Sequence, residues 1–272
     1  MSKSSVYVLG HADAEVERLQ LQGQILEPFT RRLIGACGIH EGMRVLELGC
    51  GVGDVSLLLA EAVGTSGRIV AVDREMRAVD IARRRATQAG HLQIEFAVGT
   101  DEDLAAYPPF DASFGRYILI HQPDPTLLVR RAAAAVRRGG VVAFEEAAYH
   151  LGPQMTPPVD LWQNMTGSMI DFFRVAFPQY DAAGRLISCF EDAGLQAPNL
   201  LWESLAGGPQ APYLRYVAVT YEVFLPHIKR LGLLREEVGD PATLYERLVA
   251  AATAARGQFA SVPEVGGWAT CP

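Results

Sequence analysis

The first regular pattern of the chain is helical. Because proline lacks an amide hydrogen and clashes with the preceding turn, this pattern predicts a helix over residues 13–37 that breaks at Pro28. Residues 1–40 are therefore predicted to form an N-terminal helical segment. The apolar side chains that recur at helical spacing among charged residues in this stretch are Val16, Leu19, Ile25, Phe29 and Leu33.

Beyond residue 40, short apolar runs of strand length alternate with amphipathic stretches of helix length. Strands are predicted at residues 43–49, 68–73, 92–98, 110–120, 141–146, near 196–204 and at 262–270, and helices at 54–63, 75–89, 124–137 and 181–193. Strand–helix–strand alternation is typical of a parallel sheet with right-handed crossovers. The chain is therefore predicted to adopt a Rossmann-like, doubly wound α/β fold around a mostly parallel, seven-stranded sheet.

Two stretches interrupt this alternation, at residues 147–180 and 206–258. Neither is bounded by a linker-like Gly, Ser or Pro tract, so both are predicted to be helical insertions rather than separate domains. The nucleotide-binding core then covers residues 41–205 with its insertion at 147–180, and residues 206–272 add the second insertion and the final strand. The apolar stripes of both insertions are typical of core packing, and alternatively of a lid over a flat apolar ligand.

Composition and charge exclude several classes of partner. The chain has 24 basic and 31 acidic residues, a net charge of -7, and no basic stretch interleaved with aromatic residues, so nucleic acid is not an expected partner. No apolar run reaches the roughly 18 residues of a membrane span, and the first 15 residues do not form a signal peptide. The four cysteines are scattered without a CxxC pair, so neither zinc nor another metal is expected. A cytoplasmic protein without a membrane partner is predicted.

The stretch "VLELGCGVGD", residues 45–54, ends the first predicted strand in three glycines. Gly49, Gly51 and Gly53 allow the backbone to turn tightly and to approach a ligand closely. A dinucleotide-binding turn reads GxGxxG and holds a pyrophosphate at the helix N-terminus, whereas the spacing here is GxGxG and Asp54 follows directly. Carboxylates at Glu47 and Asp54 favour a ligand that carries positive charge.

The second predicted strand ends in Asp73, 20 residues after Gly53. A carboxylate at this position accepts hydrogen bonds from the two vicinal hydroxyls of a ribose. The predicted ligand is thus a nucleoside with a cationic arm that carries no phosphate. S-adenosylmethionine, with its sulfonium and ammonium groups, fits that description.

On these motifs the chain resembles the class I S-adenosylmethionine-dependent methyltransferases, and within them the small-molecule branch related to the ubiquinone and menaquinone methyltransferases. The resemblance covers residues 40–205, and it implies S-adenosylmethionine as the cofactor and a small-molecule acceptor. It rests on "LELGCGVGD", "AVDRE", "VGTDEDL", "FDASFGRYIL" and "RRGGVVAFEE".

The resemblance also implies further donor-binding residues. It assigns Asp73 and Arg74 of "AVDRE" to the ribose side, and Thr100, Asp101 and Glu102 of "VGTDEDL" to the adenine side. Members of the family usually show Gly-Asp-Ala where this chain has Gly99-Thr100-Asp101, and their aspartate approaches the adenine amino group. Either Thr100 or, by a one-residue shift, Asp101 is expected to make this contact. N-terminal segments fold over the donor in such proteins, which makes Tyr7 and Gln22 candidates for contact with it.

Two side chains are candidates for handling the acceptor's proton or its developing charge. His121 follows the fourth predicted strand, and Glu146 ends the fifth, so both lie at the carboxyl edge of the sheet. Successive strand residues face opposite sides, so Glu145 is expected to point away from the site if Glu146 points into it.

The sequence thus predicts a methyltransferase that acts on a small, largely apolar or aromatic metabolite. Two alternatives remain open. One is an NAD-dependent oxidoreductase, which the GxGxG spacing disfavours, and the other is a relative that binds S-adenosylmethionine without methylating. A homodimer also remains open.

Overall fold

The computed structural model describes residues 13–100, 107, 109–236 and 238–272, with the side chains of the first helix described from Arg18 onward. The helices are α1 Asp13–Ala36, α2 Asp54–Val63, α3 Met76–Ala89, α4 Pro125–Ala135, α5 Asp160–Ala176, α6 Leu186–Asp192, α7 Pro212–Arg230 and α8 Leu244–Ala254. The strands are β1 Arg44–Leu48, β2 Arg68–Asp73, β3 Ile94–Val98, β4 Phe110–Arg116, β5 Val136–Ala147, β6 Gln154–Thr156, β7 Asn199–Glu203, β8 Ala206–Gly207, β9 Gln258–Ala260 and β10 Glu264–Thr270.

Seven of these strands form one sheet, in the order β3-β2-β1-β4-β5-β10-β7. The pairs β1–β2, β1–β4, β2–β3 and β4–β5 are parallel, and β10 runs antiparallel to β5. The predicted doubly wound α/β fold with a mostly parallel, seven-stranded sheet is confirmed. Strand order reverses between β1 and β4, and the carboxyl ends of these two strands form the edge where such sheets bind ligands.

The central strands are buried because helices cover both faces of a doubly wound parallel sheet. Four successive residues of β1 and four of β2 are buried, which explains why both read as continuous apolar runs. Helix α2 contributes Leu59 and Val63, each 0% exposed, to the same core. This packing fixes where β1 and β2 end, and therefore where the glycine turn and Asp73 lie.

The predicted break at Pro28 is wrong, since α1 continues through the proline to Ala36. Phe29 and Leu33 are 3% and 0% exposed, so the apolar face after Pro28 is anchored in the core. Packing of that face outweighs the one hydrogen bond that proline cannot donate.

The fourth predicted strand is too long, because β4 ends at Arg116 and a short 3-10 turn follows at Leu119–His121. The helix predicted over 181–193 is two elements, a 3-10 turn at Ala182–Arg185 and then α6. A small antiparallel sheet in the order β6-β9-β8 was not predicted from the sequence. Its strands have two or three residues each, too few to show a periodicity.

The chain forms two compact units. The first contains α1 up to Ile25 together with residues 148–181 and 203–263, and so includes nearly all of both predicted insertions. The second contains residues 26–147, 182–202 and 264–272, which carry the seven-stranded sheet. The lid role expected of the insertions remains a prediction.

In the part of the chain that the structure describes, no helix combines the length and the apolar character needed to cross a membrane.

Candidate functional site

The glycine turn between β1 and α2 is the first part of the site. Gly49, Gly51 and Gly53 have φ angles of 71°, 51° and 90°, a left-handed region that other residues rarely enter. The amides of Gly49 and Cys50 both donate to the carbonyl of Val72, at 2.9 and 3.1 Å. These bonds hold the turn against the end of β2.

The three glycines face different surroundings. A Cβ added at Gly49 would lie 2.8 Å from Cδ1 of Ile118, and one at Gly53 would lie 3.0 Å from Cβ of Ala82. At Gly51, no described atom outside the neighbouring residues lies within 4 Å of the added carbon. Gly49 and Gly53 therefore allow close packing of the protein on itself, whereas Gly51 leaves its backbone open to a ligand.

Asp73, at the end of β2, lies beside this opening. Its Oδ2 accepts a hydrogen bond from the amide of Gly51 at 2.8 Å, and its Oδ1 accepts one from the amide of Glu75 at 2.9 Å. The side chain is only partly buried. A carboxylate has about four acceptor positions, so both oxygens retain capacity for the hydroxyls of a ligand.

The structure corrects the interpretation of Asp54. Its Oδ1 accepts from Nη2 of Arg85 at 2.7 Å, and Nη1 of the same guanidinium donates to the carbonyl of Val52 at 2.6 Å. The charge of Asp54 is therefore paired within the protein, and it supplies no uncompensated negative charge to attract a cationic ligand. Arg85 lies 31 residues away, so the sequence did not reveal this pairing.

Glu47, predicted to bind the cofactor, is 2% exposed and accepts a hydrogen bond from the hydroxyl of Ser56 on α2. Burial raises the pKa of its carboxyl to about 7, against the opposing effects of the Ser56 hydrogen bond and the charge of Arg116. The structure thus places Glu47 beneath the turn, where it ties β1 to α2.

The remaining predicted donor residues are more scattered. Arg74 and Thr100 are exposed, and Nε of Arg74 lies 3.9 Å from Oε1 of Glu75. Gln22 belongs to the first compact unit, where its Nε2 donates to the hydroxyl of Tyr216 at 2.8 Å. Outside the described residues lie Tyr7, Asp101 and Glu102. The assignment of these residues to the donor stays a prediction.

Both residues predicted to act on the acceptor lie around the turn that follows β4. Glu146 is 1% exposed, and its Oε1 accepts from the amide of Leu119 at 2.7 Å. Burial raises its pKa to about 8, while hydrogen bonds from the amides of residues 118–120 act in the opposite direction. His121 ends this turn and is partly buried. Glu146 therefore shapes the loop that carries His121.

Glu145, expected to point away, is also completely buried. Its Oε1 accepts from the hydroxyl of Thr30 at 3.1 Å, and its Oε2 has no hydrogen-bond partner among the described residues. Burial raises the pKa of Glu145 to about 7, opposed chiefly by the charge of Arg116. Alternation along β5 separates the directions of the two glutamates, but both are buried, with Thr30 of α1 against Glu145 and the turn after β4 against Glu146.

The structure adds a pair of residues that the sequence did not single out. The hydroxyl of Tyr117, directly after β4, lies 2.7 and 2.8 Å from the two carboxylate oxygens of Glu264, the first residue of β10. Tyr117 has a φ of 54°. The pair is separated by 147 residues, and neither the left-handed backbone nor the pairing of β10 with β5 leaves a local sequence signal.

Arg116, Tyr117, Glu145, Glu146 and Glu264 are named here the β4–β5 edge cluster. In the described part of the chain, no group of three or more His, Cys, Asp or Glu side chains is placed to hold a metal ion.

Comparison with known proteins finds a matching domain family and related methyltransferases. The profile of the methyltransferase domain family matches residues 39–170. Aklanonic acid methyltransferase DauC of Streptomyces sp. strain C5 is 31% identical over 142 residues, which are 49% of this chain and 64% of that protein. A ubiquinone biosynthesis O-methyltransferase of Xanthomonas euvesicatoria pv. vesicatoria is 37% identical over 102 residues, which are 36% of this chain and 41% of that protein.

Among solved structures, a candidate methyltransferase from Bacillus halodurans C-125 superposes with a TM-score of 0.61 at 16% identity, over 89% of this chain and 98% of that one. This likeness shows a shared fold. The resemblance inferred from the glycine turn, the acid at the end of β2 and the later strands is confirmed by the family match. The match also supports S-adenosylmethionine as the cofactor of the domain. The chain spans less than two thirds of the length of these two curated relatives.

Proposed function

We propose that this chain, whose residues 39–170 belong to the methyltransferase domain family, transfers the methyl group of S-adenosylmethionine to a small, largely apolar or aromatic metabolite. One observation carries the proposal: Gly51 presents an open backbone face directly beside Asp73, at the edge where strand order reverses. The matched relatives, named for aklanonic acid and for ubiquinone biosynthesis, support a small-metabolite acceptor.

The residues of the glycine turn fit the donor. Asp73 offers two partly free carboxylate oxygens to a pair of vicinal hydroxyls, and the bond to the Gly51 amide keeps this acceptor at a fixed distance from the turn. Gly51 permits van der Waals approach of the ligand to the backbone. When bound, S-adenosylmethionine supplies an electrophilic methyl group on a sulfonium.

In this proposal the protein accelerates methyl transfer mainly by holding the donor and the acceptor in the correct relative position. Holding two reactants in line is worth up to roughly 7 to 11 kcal/mol in ideal intramolecular reactions. The rigid β1 and β2 ends are suited to this task, because buried core residues anchor both strands. The neutralised Asp54–Arg85 pair contributes to the shape of the turn rather than to the attraction of charge.

The test begins with binding, which needs no knowledge of the acceptor. Calorimetry should show saturable binding of S-adenosylmethionine and of S-adenosylhomocysteine by the whole chain, and weak or no binding of NAD. Binding of NAD but not of S-adenosylmethionine would contradict the proposal and favour the NAD-dependent oxidoreductase.

Transfer is then measured with methyl-labelled S-adenosylmethionine and a fractionated extract of small metabolites. Label should appear in an extractable small molecule, with equimolar S-adenosylhomocysteine. Donor binding without any turnover in any fraction would favour the non-methylating alternative. Cytoplasmic location, the absence of nucleic-acid and membrane partners, and a homodimer remain predictions beside this proposal.

A further inference from the structure

We propose that Tyr117 and Glu264 form a proton relay, in which the Tyr117 hydroxyl takes the proton of a hydroxyl-bearing acceptor and passes its own proton to the Glu264 carboxylate. The inference rests on the proposed function. It names oxygen of an aromatic hydroxyl as the methylated atom, and it replaces Glu146 and His121 as the groups that handle the proton.

The relay lies beside the glycine turn. Tyr117 directly follows β4, the strand that pairs with β1 across the reversal of strand order. Its neighbour Ile118 approaches Gly49 so closely that a Cβ on the glycine would lie 2.8 Å from the Ile118 side chain. The segment that carries the Tyr117 hydroxyl therefore borders the turn that is proposed to hold the donor.

The backbone of Tyr117 is held in an uncommon conformation. A φ of 54° is unfavourable for a residue with a bulky side chain, and such residues concentrate at functional sites. The Tyr117 amide donates to the carbonyl of Glu145 at 2.8 Å, and the hydroxyl at the other end of the side chain meets Glu264. The residue is thus fixed at both ends, yet Tyr117 as a whole remains partly exposed while Glu264 is 7% exposed.

Glu264 is suited to receive a proton. The groups that face it are Glu145 and Glu146 from β5, and Arg116 and Tyr117 from the end of β4. Burial, together with the charges of Glu145 and Glu146, raises the pKa of Glu264 to about 8, against the opposing effects of the Tyr117 hydrogen bond and the charge of Arg116. A base that titrates near the working pH combines a useful ionised fraction with a strong tendency to take the proton.

The other carboxylates of the β4–β5 edge cluster are less available. Glu146 uses its carboxylate for the backbone amides of residues 118–120. Glu145 is covered by Thr30 and has one buried oxygen without a hydrogen-bond partner among the described residues. Glu264, by contrast, is hydrogen-bonded to the hydroxyl of Tyr117, a residue that as a whole is partly exposed.

The step balances without any additional reactant. The acceptor's O–H bond breaks and its proton moves to the Tyr117 oxygen, while the original hydroxyl proton of Tyr117 moves to Glu264. The acceptor oxygen forms a bond to the methyl carbon, and the electron pair of the sulfur–carbon bond returns to sulfur. A cationic sulfonium becomes a neutral thioether, and the anionic carboxylate becomes a neutral acid.

Two phenols of different acidity test the relay, with 4-methylphenol and 4-nitrophenol as the probes at about pH 7.5. An ordinary phenol ionises near pH 10, whereas the nitro group makes 4-nitrophenol largely ionised at the assay pH. Tyr117→Phe and Glu264→Gln should lower transfer to 4-methylphenol by roughly 10²-fold or more. Transfer to 4-nitrophenol should stay within about threefold, because that acceptor has already lost its proton.

The pH profile separates proton transfer from a structural role. With 4-methylphenol, the wild-type rate should rise with pH and level off above about pH 8, the pKa of Glu264. In Glu264→Gln, the part of the rise that is due to this ionisation should be absent. Tyr180→Phe removes a hydroxyl that lies outside the β4–β5 edge cluster and should match the wild type with both phenols. If Glu264→Gln does not fold, Tyr117→Phe, which removes one hydroxyl, carries the test alone.

Equal losses with both phenols would overturn the relay and show that the pair only positions the acceptor. A wild type that binds S-adenosylmethionine but methylates neither phenol would overturn the choice of a hydroxyl acceptor, while the proposed function would stand. A wild type that does not bind S-adenosylmethionine would instead remove the proposed function itself.

Discussion

Two neighbouring stretches of one sheet edge, the glycine turn after β1 and the β4–β5 edge cluster, are built in opposite ways. The turn is assembled from residues close in sequence, with Asp73 only 22 residues from its partner Gly51, and its key surfaces are open. The β4–β5 edge cluster brings Tyr117 to Glu264, 147 positions away, and its carboxylates are buried.

This difference shows how the two regions would work. In the proposed function the turn acts through backbone conformation, since left-handed glycines decide which atoms a ligand can approach. In the proposed relay the β4–β5 edge cluster acts through electrostatics, since burial decides whether its carboxyls hold protons near neutral pH. Variants of the turn should therefore change donor affinity, and variants of the edge cluster should change pH dependence.

The largest expected effect is on the pH dependence of stability. The folded-state pKa values of Glu47 and Glu145 are about 7 and those of Glu146 and Glu264 about 8, all above the ordinary 4.5. Between about pH 5 and 8 the folded chain binds more protons than the unfolded chain, so the free energy of unfolding should fall as pH rises. Each of these carboxyls alone corresponds to a fall on the order of 3 kcal/mol, and the four together to a larger one, measured by urea unfolding at several pH values.

Glu264→Gln should reduce this slope, because it removes one of the four buried ionisations. Glu95→Gln, which removes an exposed carboxylate, is the matched control and should leave the slope as in the wild type. Stability that stays flat or rises across this pH range would contradict the assignment of protonated carboxyls to the β4–β5 edge cluster.

The second effect concerns the open face of the turn. Gly51→Val should lower affinity for S-adenosylmethionine at least about 100-fold, because the side chain fills the open space and strains a φ of 51°. Gly90→Val is the matched control. Gly90 also has a positive φ, of 78°, and open surroundings, but it ends α3 away from the turn.

Both glycine variants should lose comparable stability in thermal unfolding, and only Gly51→Val should lose binding in calorimetry. Equal affinity in the two variants would show that the turn does not approach the donor.

The third effect is the hydrogen bonding of Asp73. Asp73→Asn keeps the shape of the side chain but removes its charge. Donor affinity should therefore fall about tenfold, which corresponds to slightly less than the free energy of one charge-assisted hydrogen bond. Asp111→Asn serves for comparison, since Asp111 likewise accepts from a backbone amide, that of Arg44 at 2.8 Å, at the opposite end of the sheet strands. Equal donor affinities of the two variants in calorimetry would contradict the assignment of Asp73 to the ribose hydroxyls.

The smallest effect is expected at Asp54. Because its charge is already paired with Arg85, Asp54→Asn should change donor affinity by less than about threefold. The two side chains are 14% and 24% exposed, and loss of the pair should lower the free energy of unfolding by about 1 kcal/mol. A large loss of affinity for the cationic donor, with unchanged stability, would restore Asp54 as an electrostatic partner of the ligand.

The sequence by itself determined the order of strands and helices along the seven-stranded core, the place of the glycine turn and the acid that ends β2. These features depend on residues within a few turns of one another, where periodicity and left-handed glycines leave a direct signal. The same signal was enough to predict the ligand's class and the family.

Only the tertiary structure decided which charges are free and which are buried. Asp54 and Glu47, close together in sequence, are compensated by Arg85 and Ser56 on two different helices. The meeting of Tyr117 with Glu264 follows from the pairing of β10 beside β5, far along the chain. Burial and charge pairing depend on the atoms that surround a group in space, so a local pattern of residue types cannot specify them.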